Sequence, residues 1–434
     1  MAGFEVSTEG MAPYNSAESA PMNPPTESRG LWHHPAFLKL WAASAVSDVG
    51  SQVSALALPL IAALTLGATP WQMGLLSAAG TAPILFVGLF AGVWVDRLRR
   101  RPLMIAMDIG RAAILLVIPL ASALGLLRIE ILYVVALLVG ALGVLFDVAH
   151  LAFLPSLVER ERLVEGNSKL QTTTSVAQVA GPGLGGVLVG LLGPAFAVLI
   201  DALSFLASAL FIVGIRVKES SRAASDARGV IGEIGEGLRV VVAHRILRVL
   251  AGCSGTISLF GQMFMAVYVL YMTRDLGLGS VGVGFVFAAG GVGALVGAVV
   301  AAPVTKRLGP GPAMIWALLC FGLTGMAVPL AVLMPRVALP MVVTAEFGQW
   351  MALSAYFVNA VSVRQALAPD HLQGRVNATM RFMAGGMQPI GALLGGALGG
   401  LIGLPLTLVV ASVGMLLAFL WLLLSPVRAL RVLA

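Results

Sequence analysis

Five carboxylates in this 434-residue sequence stand inside long apolar runs: Asp48, Asp108, Asp147, Asp201 and Glu346. A charge at the centre of a bilayer costs at least about 2.5–3.5 kcal/mol, so each needs a reason to be there: proton exchange, cation binding, or pairing within the fold. In the first run Ser44, Asp48, Ser51, Gln52 and Ala55 recur at helical spacing and form one polar stripe. Asp48 lies nine residues past Lys39, about 14 Å at 1.5 Å per residue, roughly halfway across a bilayer. It is either a carboxylate that exchanges protons or holds a cation, or a structural one bonded to a neighbouring helix. Asp147, near mid-depth in the fourth run, carries the same two readings and is the second coupling candidate. Glu346 is the third. With Gln349 and Tyr356 it forms a polar face at i, i+3 and i+10, expected to wall a cavity. Gln52 and Gln262 are expected either to face each other as substrate hydrogen-bonders or to join helices within one half. Asp108 and Arg111, at i and i+3 near the start of the third run, read as a structural ion pair near the membrane edge. Asp201 could hydrogen-bond a facing helix.

The elements that must hold these groups are membrane helices. Hydrophobic residues make up 59% of the chain and charged residues 11%, well below the roughly 25% of soluble domains. Twelve runs are long enough to span, at about 36–66, 73–95, 103–124, 131–154, 170–193, 195–216, 246–272, 281–304, 313–334, 338–362, 379–403 and 405–427. Lipid offers no partner to an open backbone, so all are expected to be helical. Arg128, Arg274 and Arg336 fall on one side and Arg111 inside a run. The other basic residues fall on the side of the Arg97–Arg101 cluster, which the positive-inside rule assigns to the cytoplasm together with both termini. The net charge of +7 is therefore topological and speaks against nucleic-acid binding. Cys253 and Cys320 form no metal or disulfide pattern, and there is no GxxxxGK[ST] phosphate loop, so no metal, cofactor or direct ATP coupling is expected.

Residues 1–30, rich in Pro, Ser, Glu and Ala, are expected to be a disordered cytoplasmic tail, and 217–243 a cytoplasmic linker between bundles 31–216 and 244–434. The halves repeat. Adding 210 pairs Gln52 with Gln262, Gly74 with Gly284, Arg97 with Arg307, Pro119 with Pro329, Asn167 with Asn377 and Gly186 with Gly396. One offset that matches Gln, Asn and Pro as well as Gly indicates a parallel duplication of six spans.

The stretch GLFAGVWVDRLRRRP, with Gly88, Gly92, Asp96, Arg97, Arg99, Arg100 and Arg101, resembles the signature loop of the major facilitator superfamily of transporters. The resemblance implies an all-α fold of two six-helix bundles with a substrate site between them. It also implies a cytoplasmic gate in which Asp96 meets the start of the eleventh helix around Asn377 while Arg97 and Arg100 bridge neighbouring spans. AGPGLGGVLVG in the fifth run is similar to the GPxxGG motif of proton-driven exporters, carried by Gly181, Pro182, Gly185 and Gly186. With LIDALSFLASAL and LPSLVERERLVEGNSKL, it resembles the branch of bacterial drug, macrolide and siderophore exporters. The fourth run lacks the arginine often found in proton-translocating members. The expected function is a monomeric secondary exporter of small amphipathic molecules in the cell membrane, powered by the proton gradient. An importer, a uniporter, or a non-transporting receptor or lipid-handling scaffold are the alternatives.

Overall fold

A computed structural model describes residues 30–217, 238–367 and 373–431, and these are helical with no strand among them. The spans in order are Pro35–Thr65, 70–97, Arg100–Ala123, Ile129–Phe153, Leu163–Leu192, Pro194–Val213, Arg245–Arg274, Ser280–Leu308, Pro310–Leu330, Ala338–Leu367, Gln373–Ile402 and Leu404–Leu423. Most of the tail and linker expected at 1–30 and 217–243 lies outside the described residues. Several helices start earlier than the apolar runs: the fifth begins at Leu163 rather than 170 and the eleventh at Gln373 rather than 379. Hydropathy marks the stretch in hydrocarbon, whereas backbone hydrogen bonding carries a helix on through its polar first turns. Leu31–His33 forms a short turn before the first span, where Lys169 Nζ lies 4.0 Å over the Trp32 ring.

The second span is broken into Pro70–Thr81, Pro83–Phe86 and Gly88–Arg97. Thr69 and Gln72 start it with a reciprocal capping box. Pro83 supplies no amide hydrogen to continue the helical ladder, which accounts for the first break.

The duplication is visible in the backbone. Gly67 and Gly277, 210 positions apart, both take positive φ, +60° and +66°, and end the first and seventh spans alike. Gly193 and Gly403 share φ +84° in the turns before the sixth and twelfth. A side chain is disfavoured in that region, so glycine is required at each turn.

The two bundles meet at the face opposite the arginine cluster. There the second span crosses the eleventh at Gly74 and Gly396, and the fifth crosses the eighth at Gly186 and Gly284. These crossings are exchanged by the same 210-residue shift. A Cβ on Gly74 would lie 2.6 Å from Gly396 Cα, and one on Gly186 2.8 Å from Gly284 Cα, so backbone rests on backbone. Arg274 Nη2 adds a 2.8 Å hydrogen bond to Ala68 O across the same face. On the arginine-rich face, Gly88–Arg97 packs on the fourth span of its own bundle. Leu98 and Arg99 make the short turn, Arg100 Nη1 donates to Ala152 O at 2.9 Å, and Arg101 Nε donates to Ile212 O at 3.1 Å. Arg100 and Arg101 thus each reach a neighbouring span of their own bundle. The side chain of Asp96 lies outside the described residues.

Candidate functional site

The polar stripe of the first span is held by the fourth and fifth. Trp41 Nε1 donates to Thr173 Oγ1 at 2.8 Å, Ser44 Oγ and His150 Nε2 form a 2.9 Å hydrogen bond, and Thr174 Oγ1 donates to Asp48 Oδ2 at 2.7 Å. Further along, Gln52 packs against Gly181, where a Cβ would collide with it. The glycine that opens the GPxxGG motif therefore makes room for a stripe residue. Asp48 is half-buried, while Asp147 is exposed within the span. Asp147 lies within electrostatic reach of Asp48 and Arg111 and, from the other bundle, of Arg381.

Arg111 sits deeper than the sequence suggested. It lies 11 residues past Arg100, about 16 Å along the helix, with its guanidinium 4.3 Å from the Phe146 ring and 4.0 Å from the Phe205 ring. It pairs with Asp108, whose other oxygen accepts from Ser208 Oγ at 2.7 Å. The ion pair is therefore in the interior of the first bundle and tied to the sixth span, not at the membrane edge. Asp201 is buried against the first span, where a Cβ on Gly50 would collide with Ser204, whose hydroxyl donates to Asp201 Oδ1 at 3.1 Å. Arg111→Leu is expected to strand Asp108 without a cation and to lower stability by about 3–5 kcal/mol, read as a loss of Tm in detergent. Adding Asp108→Asn should recover much of that loss. A double variant no more stable than the single one would contradict this assignment.

The tenth span differs from expectation. Glu346, Gln349 and Tyr356 are buried inside the second bundle and do not wall the space between the bundles. Tyr268 donates to Glu346 Oε2 at 2.9 Å and Trp350 Nε1 to Oε1 at 2.8 Å. The cause is Gly290: a Cβ there would lie 2.6 Å from Trp350 Cδ1 and 3.0 Å from Glu346 Cγ, so the eighth span lies directly over this carboxylate. The wall residues of this helix are Trp350 and Ser354, on the i+4 and i+8 positions from Glu346.

Two cavities lie between the bundles. The first, about 400 Å³, is bounded by the first, second, fourth, seventh and eighth spans, with Ser77, Thr81 and Gln262 as its polar side chains. The second, about 430 Å³, carries Gln52, Ser175, Gln178, Trp350 and Ser354. They share Phe287 as a common wall. Gln52 and Gln262 therefore belong to different cavities and do not face each other. Each cavity also holds a proline within a helix, Pro59 and Pro182, together with the residue four positions earlier, Ala55 and Gln178, whose carbonyl thereby loses its helical donor. Among the described residues no ionisable side chain lines either cavity. Such walls suit molecules with an apolar body and a few uncharged hydrogen-bonding groups. Thr174, His150 and Arg381 are the site residues that sequence reasoning passed over. An exposed arginine eight residues into the eleventh helix was the signal available for the last of them.

A family model described as transmembrane secretion effector matches residues 30–433. The multidrug efflux pump Tap of Mycobacterium tuberculosis (strain ATCC 25618 / H37Rv) is 31% identical over 378 residues, which is 84% of this chain and 87% of that protein. The enterobactin exporter EntS of Escherichia coli O127:H6 is 27% identical, over 84% of this chain and 86% of its own. Among solved structures, a bacterial homologue of the iron transporter ferroportin in an inward-facing state superposes with a TM-score of 0.69 at 18% identity, covering 89% of this chain and 98% of that one. A mutant form of the nucleoside transporter NupG superposes with a TM-score of 0.71 at 12% identity, covering 90% and 99%. At those identities the structural likeness speaks for the fold alone.

Proposed function

The chain belongs to the transmembrane secretion effector family of the major facilitator superfamily, and we propose that it is a secondary exporter of small amphipathic molecules, driven by exchange for protons. The relatives named above for efflux of drugs and of a siderophore support the direction of transport. By the positive-inside rule the arginine-rich face is cytoplasmic in the cell membrane. The glycine crossings then close the outer face, and the space between the bundles is offered to the cytoplasm, from which an exporter loads.

The observation that carries the proton-exchange reading is Asp48, held by Thr174 in the first span, with Asp147 within electrostatic reach of it and of Arg381 on the other bundle. No carboxylate stands at the duplicated positions, which hold Ser258 and Phe357. Loss of a proton leaves a charge within the span, and gain of one removes it. In the outward-open state the pair would meet the more acidic exterior and take up a proton. Neutralised, it allows the return to the inward-open state, where the proton leaves to the cytoplasm and substrate enters from the same side. Closure of the cytoplasmic face in the outward-open state falls to Asp96 with Arg97, Arg100 and the start of the eleventh span near Asn377.

Expression in a pump-deficient bacterial host tests this reading. Resistance to a chemically varied panel of amphipathic drugs and dyes should rise for a subset, and a protonophore should abolish the gain. A panel unaffected at verified expression would overturn the proposal.

A further inference from the structure

The second and seventh spans are joined across the two bundles by one side-chain hydrogen bond inside the first cavity: Gln262 Nε2 donates to Ser77 Oγ at 2.7 Å. Ser77 stands three residues, nearly one helical turn, from Gly74, whose crossing with Gly396 seals the outer face. The rest of that wall is largely apolar, with Leu56, Leu58, Met73, Leu76, Met265 and Val269 around the bond. In such surroundings water does not compete well for either partner, so the bond holds the bundles together more firmly than it would at a surface. The same surroundings make the Gln262 amide the principal side-chain N–H donor available to an occupant of this cavity.

We propose that Gln262 is a substrate-sensing latch: in the empty cavity it ties the bundles shut on the outer side, and an uncharged hydrogen-bond acceptor on an apolar substrate takes its amide and releases Ser77. This rests on the export reading and names the part of the substrate that the first cavity recognises. The chemistry follows from the lining. A carbonyl, ether or hydroxyl oxygen can replace Ser77 Oγ as the acceptor, whereas a hydrocarbon cannot. A fully charged group would find no counter-charge on this wall.

Linkage sets the signs. If ligand and Ser77 compete for one donor, occupancy weakens outer closure and outer closure weakens binding by the same factor. Removing Ser77 therefore has the opposite effect on affinity to removing Gln262, while both loosen the outer face. A bond of ordinary net strength makes each effect about 2- to 10-fold.

The test uses the full chain with Cys253 and Cys320 replaced by Ser and a reporter thiol at Met73→Cys, a position only 3% exposed here. In intact cells, labelling by a membrane-impermeant maleimide from outside should rise in both Ser77→Ala and Gln262→Ala. In purified protein, Nile red, an uncharged dye with a carbonyl acceptor, should bind about 2- to 10-fold more tightly to Ser77→Ala and more weakly to Gln262→Ala. Perylene, a hydrocarbon of similar size, should not distinguish the three proteins. Unchanged labelling in Ser77→Ala, shifts of Nile red in the same direction in both variants, or absence of Nile red binding each overturns the latch. No gradient or transport enters these readings, so a chain that exports nothing can still pass them, and an exporter can still fail them.

Discussion

Gly186→Val should leave a folded protein that cannot close its outer face and so loses nearly all export. The argument is steric. A Cβ at this position would stand 2.7 Å from Ser280 O and 2.8 Å from Gly284 Cα, both backbone atoms that no rotamer change can move aside. The fifth and eighth spans must separate to admit it, and these helices belong to different bundles. The strain is therefore released by opening the outer mouth rather than by unfolding either bundle. Overpacking of this kind costs about 1–3 kcal/mol, enough to move a two-state equilibrium by about 5- to 160-fold toward the outward-open form. The duplication predicts a matching effect from Gly74→Val, whose Cβ would meet Gly396. Outside labelling at Met73→Cys should rise strongly in both variants while expression and Tm in detergent stay near wild type. A variant that exports normally would show that the crossings are ordinary helix packing.

Asp48→Asn should abolish export against a concentration gradient while sparing substrate binding and exchange. Thr174 Oγ1 can donate to an amide oxygen as it does to Asp48 Oδ2, so the local packing has no reason to collapse. What disappears is the charge change. A side chain fixed in the neutral form resembles the protonated carboxylate at every pH, so a proton gradient no longer biases the direction of the cycle. The expected loss of gradient-driven accumulation is at least tenfold, and the residual transport should no longer depend on external pH. Wild-type export should rise as the outside is acidified, because more of the outward-facing pair is then protonated. Asp147→Asn is expected to weaken coupling as well, since it removes the second carboxylate within electrostatic reach of Asp48. If Asp48→Asn exports as wild type does and Asp147→Asn does not, Asp48 is structural and the coupling role moves to the fourth span.

Much of this architecture was open to the sequence because a membrane reduces the choices. Apolar length located the spans, charge asymmetry sorted the faces, and a single offset of 210 exposed a duplication that recurs in the backbone at Gly67 and Gly277 and at Gly193 and Gly403. The stripe through Ser44, Asp48 and Gln52 was legible from helical periodicity, which fixes which residues share a face. Periodicity does not say which helix that face meets. Glu346 shares its side with Trp350 and Ser354, yet its exposure is decided by Gly290, 56 positions earlier, which lets another helix lie over it. The GGVGALVG run around Gly290 was a signal of close approach, although not of what was approached. Gln52 and Gln262 are related by the duplication, but their surroundings are not: Ser77 stands where the second half has Phe287, and that ring separates the two cavities. Arg381 stands near the start of its apolar run, on the basic face, and only the packing of the bundles brings it within reach of Asp147.

Proton exchange is the central claim, and it is tested most directly by following protons and substrate together. Purified protein would be reconstituted into vesicles that enclose a pH-sensitive dye, with no pH difference imposed at the start. A compound that the chain extrudes in cells is then added on one side only. If the account is right, downhill movement of that compound drives protons the opposite way, acidifying the compartment the compound leaves, and Asp48→Asn moves the compound with no pH change. Movement of the compound in wild-type vesicles with no accompanying proton movement would contradict the account.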